Sequence, residues 1–164
     1  VEIKEDLTIS GSIIFPATQS ASAGANTLDD YEEGTWTPIF SDSGADRADS
    51  QAENSNGNYT KVGNRVFIEG NLTVTDLGTL GDSLMNIMGL PFTANATNST
   101  STMSMTNVSG LSITAGQSLT GLIIGNTTRF RVYLWDATTG TSNFLVTSEL
   151  TADGSFSFSG SYRV

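Results

Sequence analysis

NYTKVGNRVFIEGNLTVT, residues 58–75, is the stretch from which the fold can be read. Val66, Ile68, Gly70, Leu72 and Val74 fall on one side of an extended chain; Arg65, Phe67, Glu69, Asn71 and Thr73 fall on the other. Side chains of a strand alternate between its faces, so this spacing predicts a strand with one buried and one wet face. Gly63-Asn64 separates that run from Asn58 to Val62, and a two-residue link containing glycine reads as a hairpin turn.

The same signals recur downstream. Leu119 to Ile124 turns at Gly125-Asn126 into Arg129 to Asp136, and Asn143 to Leu150 follows a loop through Gly140. Thr151-Ala152-Asp153-Gly154 has the composition of a turn closed by a glycine. Ser155 to Val164 then puts Phe156, Phe158, Tyr162 and Val164 on one face, which predicts a core strand at the C-terminus. Leu80 to Leu90 carries Leu84, Met85, Ile87 and Met88 at a spacing that suits a strand or one helical turn, and Pro91 ends it. A strand is preferred, because its neighbours are strands. Thr93 to Ser109 is mostly Asn, Ser and Thr and reads as a loop followed by an exposed strand. Asn58, Asn71, Asn95, Asn98, Asn107 and Asn126 each begin an Asn-x-Ser/Thr triplet, which this composition produces by chance. Short strands between turns, with no helical periodicity, predict an all-β antiparallel β-sandwich, with a jelly-roll topology preferred.

Upstream, residues 15–40 read FPATQSASAGANTLDDYEEGTWTPIF. The first half is small and polar, and the second is an acidic cluster (Asp29, Asp30, Glu32, Glu33) before Gly34 and Trp36. Such a segment has too little apolar surface to offset its ordering entropy and must lie against something already built. Tyr31 and Trp36 are its docking residues, with Trp36 read as a packing anchor rather than a ligand platform. Val1 to Phe15 alternates through Leu7, Ile9, Gly11 and Ile13, which reads as one or two short strands. The division expected is an extended arm over 1–40 and a β-sandwich over 41–164.

FPATQ at 15–19, ANTLDDYEEGTWTP at 25–38, GNYTKVGNRV at 57–66, GLPF at 89–92 and the closing FSGSYRV at 158–164 together resemble the C-terminal region of tailed-phage fibre and related virion proteins. The resemblance covers most of the chain, and its LDDYEEGTWTP element is the specific part. It implies a homotrimeric all-β fibre tip on a virion, with a shaft-like arm held between subunits. Partners so implied are two further copies of the chain, other virion proteins through a part preceding Val1, and a host surface glycan or protein. The start at Val1, with no Met and no signal-peptide pattern, reads as a cut point in a longer protein.

Composition narrows the chemistry. The 164 residues are 37% hydrophobic, enough for one core, and carry a net charge of -10, which argues against nucleic acid or an anionic membrane as partner. No apolar run approaches the roughly 18 residues of a membrane span. His and Cys are absent, which removes the commonest general base, thiol nucleophiles and most transition-metal sites. No cofactor is expected. The loop 41–57 has Asp42, Asp46, Asp49 and Glu53, oxygen ligands that suit Ca²⁺, but without the spacing of a calcium loop they read as solvated, and no metal is expected. A glycosidase needs only two carboxylates, one with a raised pKa beside an apolar wall. Here the acids fall in the two polar segments or at strand ends, as do Asp76, Asp82, Asp136, Glu149 and Asp153, so an enzyme is not expected.

The binding candidates are Arg131, Tyr133 and Trp135, which share the face of their strand opposite Phe130, Val132 and Leu134. An Arg beside two amphipathic rings suits a sugar, a trimer interface or a two-sided core strand. The reading is a non-enzymatic virion fibre tip that attaches to the host surface. The alternatives are a structural head-fibre or capsid-decorating appendage, and a polysaccharide depolymerase.

Overall fold

The structure, a computed structural model, describes residues 8–16, 27–28, 30–42, 53–77, 84–97 and 101–164. In chain order the strands are β1 Tyr31–Trp36, β2 Ile39–Ser41, β3 Glu53–Val62, β4 Arg65–Val74, β5 Asn86–Met88, β6 Thr102–Leu111, β7 Gln117–Ile123, β8 Arg129–Asp136, β9 Thr141–Phe144 and β10 Leu150–Arg163. A single 3₁₀ turn, Thr147–Glu149, is the helical element among the described residues. Every ladder is antiparallel.

The 58–75 stretch forms the hairpin its alternation predicts. β3 pairs with β4 from Glu53↔Val74 to Val62↔Arg65. Gly63, first in the turn, takes φ +56, a backbone angle that side chains with a Cβ resist. Along β4 every apolar position except Phe67 is buried, and Val66 and Leu72 are fully so.

The strands follow one hydrogen-bonded path, β1-β3-β4-β10-β6-β7-β8-β5-β2, with β9 beside β8. This corrects the expected jelly roll: the described strands build one sheet, not two. Its two ends, β1 and β2, are separated along the chain only by Thr37 and Pro38. Laid flat, eight strand spacings of about 4.8 Å would hold those ends nearly 40 Å apart. Two intervening residues reach about 11 Å at most. The sheet must therefore curl into a half-barrel. Pro38 suits the corner, since it has no N–H to offer a ladder.

The concave face is the core. Trp36 of β1 and Phe130 of β8 both pack on Phe158 of β10, at centroid distances of 5.7 and 5.3 Å, and Phe40 of β2 packs edge-on against Phe156 at 5.5 Å. Rings from four strands distant along the sheet thus meet in its hollow, with Met85, Ile87, Ile123, Val132, Leu145 and Tyr162 filling around them.

Around the expected boundary at residue 40, β1 and β2 are both strands of the sheet. Thr151 to Gly154 does not turn the chain back; β10 runs through it, and the surplus residues are absorbed where its register against β6 slips between Leu150 and Ser155. Residues 8–16, read as strand, carry none, since no ladder of this chain reaches them. Residues 1–7, most of the 41–57 loop, Asp82 and Asn98 lie outside the described residues.

Candidate functional site

β8 alternates strictly. Phe130, Val132 and Leu134 are buried in the hollow, while Arg131 and Tyr133 are half-buried and Trp135 is 43% exposed on the convex side. The turn into β9 fixes what lies beside them. Asp136 Oδ1 accepts hydrogen bonds from the Thr138 amide (2.8 Å) and hydroxyl (2.6 Å), and the Gly140 amide donates to the Asp136 carbonyl (2.9 Å). The Thr138 hydroxyl and amide hold the Asp136 carboxyl below its usual pKa. With the turn set, Phe144 lands opposite Tyr133 and Ser142 opposite Trp135. The Tyr133 and Phe144 rings pack 4.8 Å apart, and the Arg131 guanidinium lies 5.3 Å from the centre of the Phe144 ring. The result is a strip of one cation and three rings, floored at its edge by Thr120 and Ser118 of β7. Phe144 was not singled out from the sequence. Its place follows from the β8–β9 register, which a chain reading that stops at single strands does not supply.

The acidic segment is tied to the sheet. Asp30 is buried and ion-pairs with Lys61, whose ammonium also sits 5.1 Å over the Phe92 ring. Glu32 accepts the Tyr59 hydroxyl, and that bond pushes the Tyr59 pKa up to about 12. Gly34 lies against the Tyr59 ring: a Cβ there would come within 2.6 Å of it. Gly57 leaves room in the same way for Trp36, which is 7% exposed. Asp30 and Glu32 latch β1 to β3, because the register sets each diagonally across from its partner, Lys61 and Tyr59. Tyr31 points the other way, 40% exposed, with its ring 6.0 Å from Phe15 and its hydroxyl on Glu33, a bond that raises its pKa.

Other carboxylates also serve structural partners. Glu149 accepts the Val146 amide at 2.9 Å, Asp153 accepts the Thr151 hydroxyl at 2.6 Å, and Glu69 accepts the Asn58 amide group at 3.4 Å. Among the described residues no three His, Cys, Asp or Glu side chains gather to hold a metal, and no helix is long and apolar enough to cross a membrane.

This curled sheet also occurs in a tailspike. The crystal structure of the Dettilon tailspike protein (gp208) superposes with a TM-score of 0.68 at 22% identity, over 81% of this chain and 24% of that one. At that identity the likeness is one of fold, and the chain spans about a quarter of the tailspike's length. No family model matches the chain, and no curated protein matches it. In the tailspike-like sheet the convex strip on β8 stands clear of the core, on a strand held between β7 on one edge and β5 and β9 on the other. A side chain on such a strand is positioned by ladders on both sides, which suits rigid presentation to a partner.

Proposed function

We propose that this chain is a virion domain of a tailed phage that attaches to the host surface as a homotrimer, binding a surface glycan without cutting it. The observation that carries the reading is the strip itself: an exposed Trp135 beside Tyr133 and Arg131 on a sheet of a fold that also occurs in a tailspike. Rings with an apolar body and a polar tip stack on the faces of sugars, while arginine supplies donors to their oxygens. Three copies on one particle would make a weak single site sufficient, since linked sites gain avidity without new contacts.

The non-enzymatic part of the proposal draws on how the carboxylates are used. Retaining and inverting glycosidases need two carboxyl groups facing each other across a cleft, about 5 to 9.5 Å apart. Asp30, Glu32, Glu33, Asp136, Glu149 and Asp153 instead accept bonds from neighbouring structural groups. Residues 8–16 support the homotrimer: Ile13 and Ile14 are 64% and 90% exposed, apolar surface that sister chains would cover.

The test is binding of fluorescently labelled protein to a panel of bacterial strains, with reducing-end release measured on their extracted polysaccharides. Attachment predicts labelling of at least one strain, loss of labelling in Trp135→Ala, and no new reducing ends. Failure to label any strain removes the attachment role, and release of reducing ends restores the depolymerase.

A further inference from the structure

We propose that the β8 strip selects saccharides bearing a carboxylate, with Arg131 as the partner of that carboxylate. The inference rests on the attachment reading and names the class of sugar it would take.

Three observations converge on Arg131. The chain has 17 acidic residues against 7 basic ones, so most cations should find an acid, as Lys61 does with Asp30. Among the described residues Arg131 has no carboxylate partner; its contact is the Phe144 ring. Its Nε is buried with no hydrogen-bond partner. Directly across the β5–β8 ladder stands Asn86, 2% exposed, whose amide nitrogen donates to the Leu84 carbonyl at 2.9 Å, so the neighbouring strand brings no carboxylate to the guanidinium. A guanidinium without an acid in so acidic a chain keeps donors for a ligand's acceptor.

The chemistry of that group follows from the donor set. A guanidinium is a planar fork that matches a carboxylate through two parallel hydrogen bonds, and a ring beneath it holds the fork in orientation without consuming its donors. Residues two apart on a strand lie about 6.6 Å apart on the same face. A carboxylate at Arg131 therefore sets its own sugar over Tyr133 and Phe144 and the next sugar toward Trp135. A dense polyanion does not fit. The chain's net charge of -10 repels it, and one unpaired arginine matches a polymer with an occasional carboxylate among neutral sugars.

Isothermal titration of the whole chain with uronate- and nonulosonate-containing oligosaccharides, each beside its carboxyl-reduced counterpart, tests this. At least one carboxylated member should bind, and its reduced form about tenfold more weakly or worse. Arg131→Gln should erase the difference between the two forms, while Arg131→Lys, which keeps the charge and loses the fork, should retain part of it. Equal affinity for carboxylated and reduced members, binding by none, or an unchanged preference in Arg131→Gln would overturn the inference. The reduction comparison uses the native protein and so stands even if a variant misfolds. Cells that are labelled equally before and after carboxyl reduction would leave attachment intact and remove this inference alone; cells that are never labelled would remove attachment itself.

Discussion

Two tyrosine hydroxyls tie parts of the sheet together, Tyr162 to the Phe92 loop and Tyr59 to Glu32 of β1. Tyr162 is fully buried; its hydroxyl donates to the Phe92 carbonyl at 3.0 Å and accepts the Phe92 amide at 3.2 Å. Tyr162→Phe strands both backbone groups and should cost about 1–3 kcal/mol, read from a urea midpoint. Burial pushes the Tyr162 pKa up to about 12, and the Glu32 bond does the same for Tyr59. The ordinary tyrosine value is 10.0, so above that pH the unfolded chain ionises while the folded one resists. Stability from these groups is whole below pH 10 and is lost as pH rises toward 12. Urea midpoints measured across that window should fall steeply, and less steeply in Tyr162→Phe. Gly34→Ala forces the Tyr59 ring aside and should lower stability by about 1–3 kcal/mol, the range for overpacking.

At the scale of elements, β1 is joined to the rest through Trp36, which fills the space above Gly57 and packs on Phe158. Trp36→Ala should cost about 3–5 kcal/mol in chemical denaturation, since it opens the hollow where the two ends of the sheet meet. Strands were readable wherever alternation was strong, as in β4 and β8, because one wet face and one dry face leave a period of two in the residues themselves. Thr151 to Gly154 shows the limit. Turn residues mark a break in regular backbone but do not say whether the chain reverses or bulges. Here Thr151 bonds the Gly110 carbonyl of the neighbouring strand, and β10 continues for 14 residues. Only the presence of β6 alongside makes a bulge the better solution.

For the molecule as a whole, the exposed Ile13 and Ile14 carry the assembly question. Light scattering should give the mass of three copies. An Ile13→Ser, Ile14→Ser double variant should shift the mass toward one copy while far-UV circular dichroism still reports the sheet. A native chain that scatters as a monomer would leave the curled sheet unchanged and remove the homotrimer from the proposed function.

Alternation, turns and the lack of helical periodicity were enough to define an all-β antiparallel chain, the buried side of each main strand and the shared face of Arg131, Tyr133 and Trp135. These are local properties, written within a few residues of one another. Which strands are neighbours was not local. The order that places β10 between β4 and β6, the curl that brings β1 to β2 across Thr37-Pro38, and the registers that set Phe144 beside Tyr133 and Asn86 across from Arg131 all pair residues far apart in the chain. Such pairings are chosen by how the whole set of apolar faces closes over one hollow, and that choice belongs to the tertiary structure.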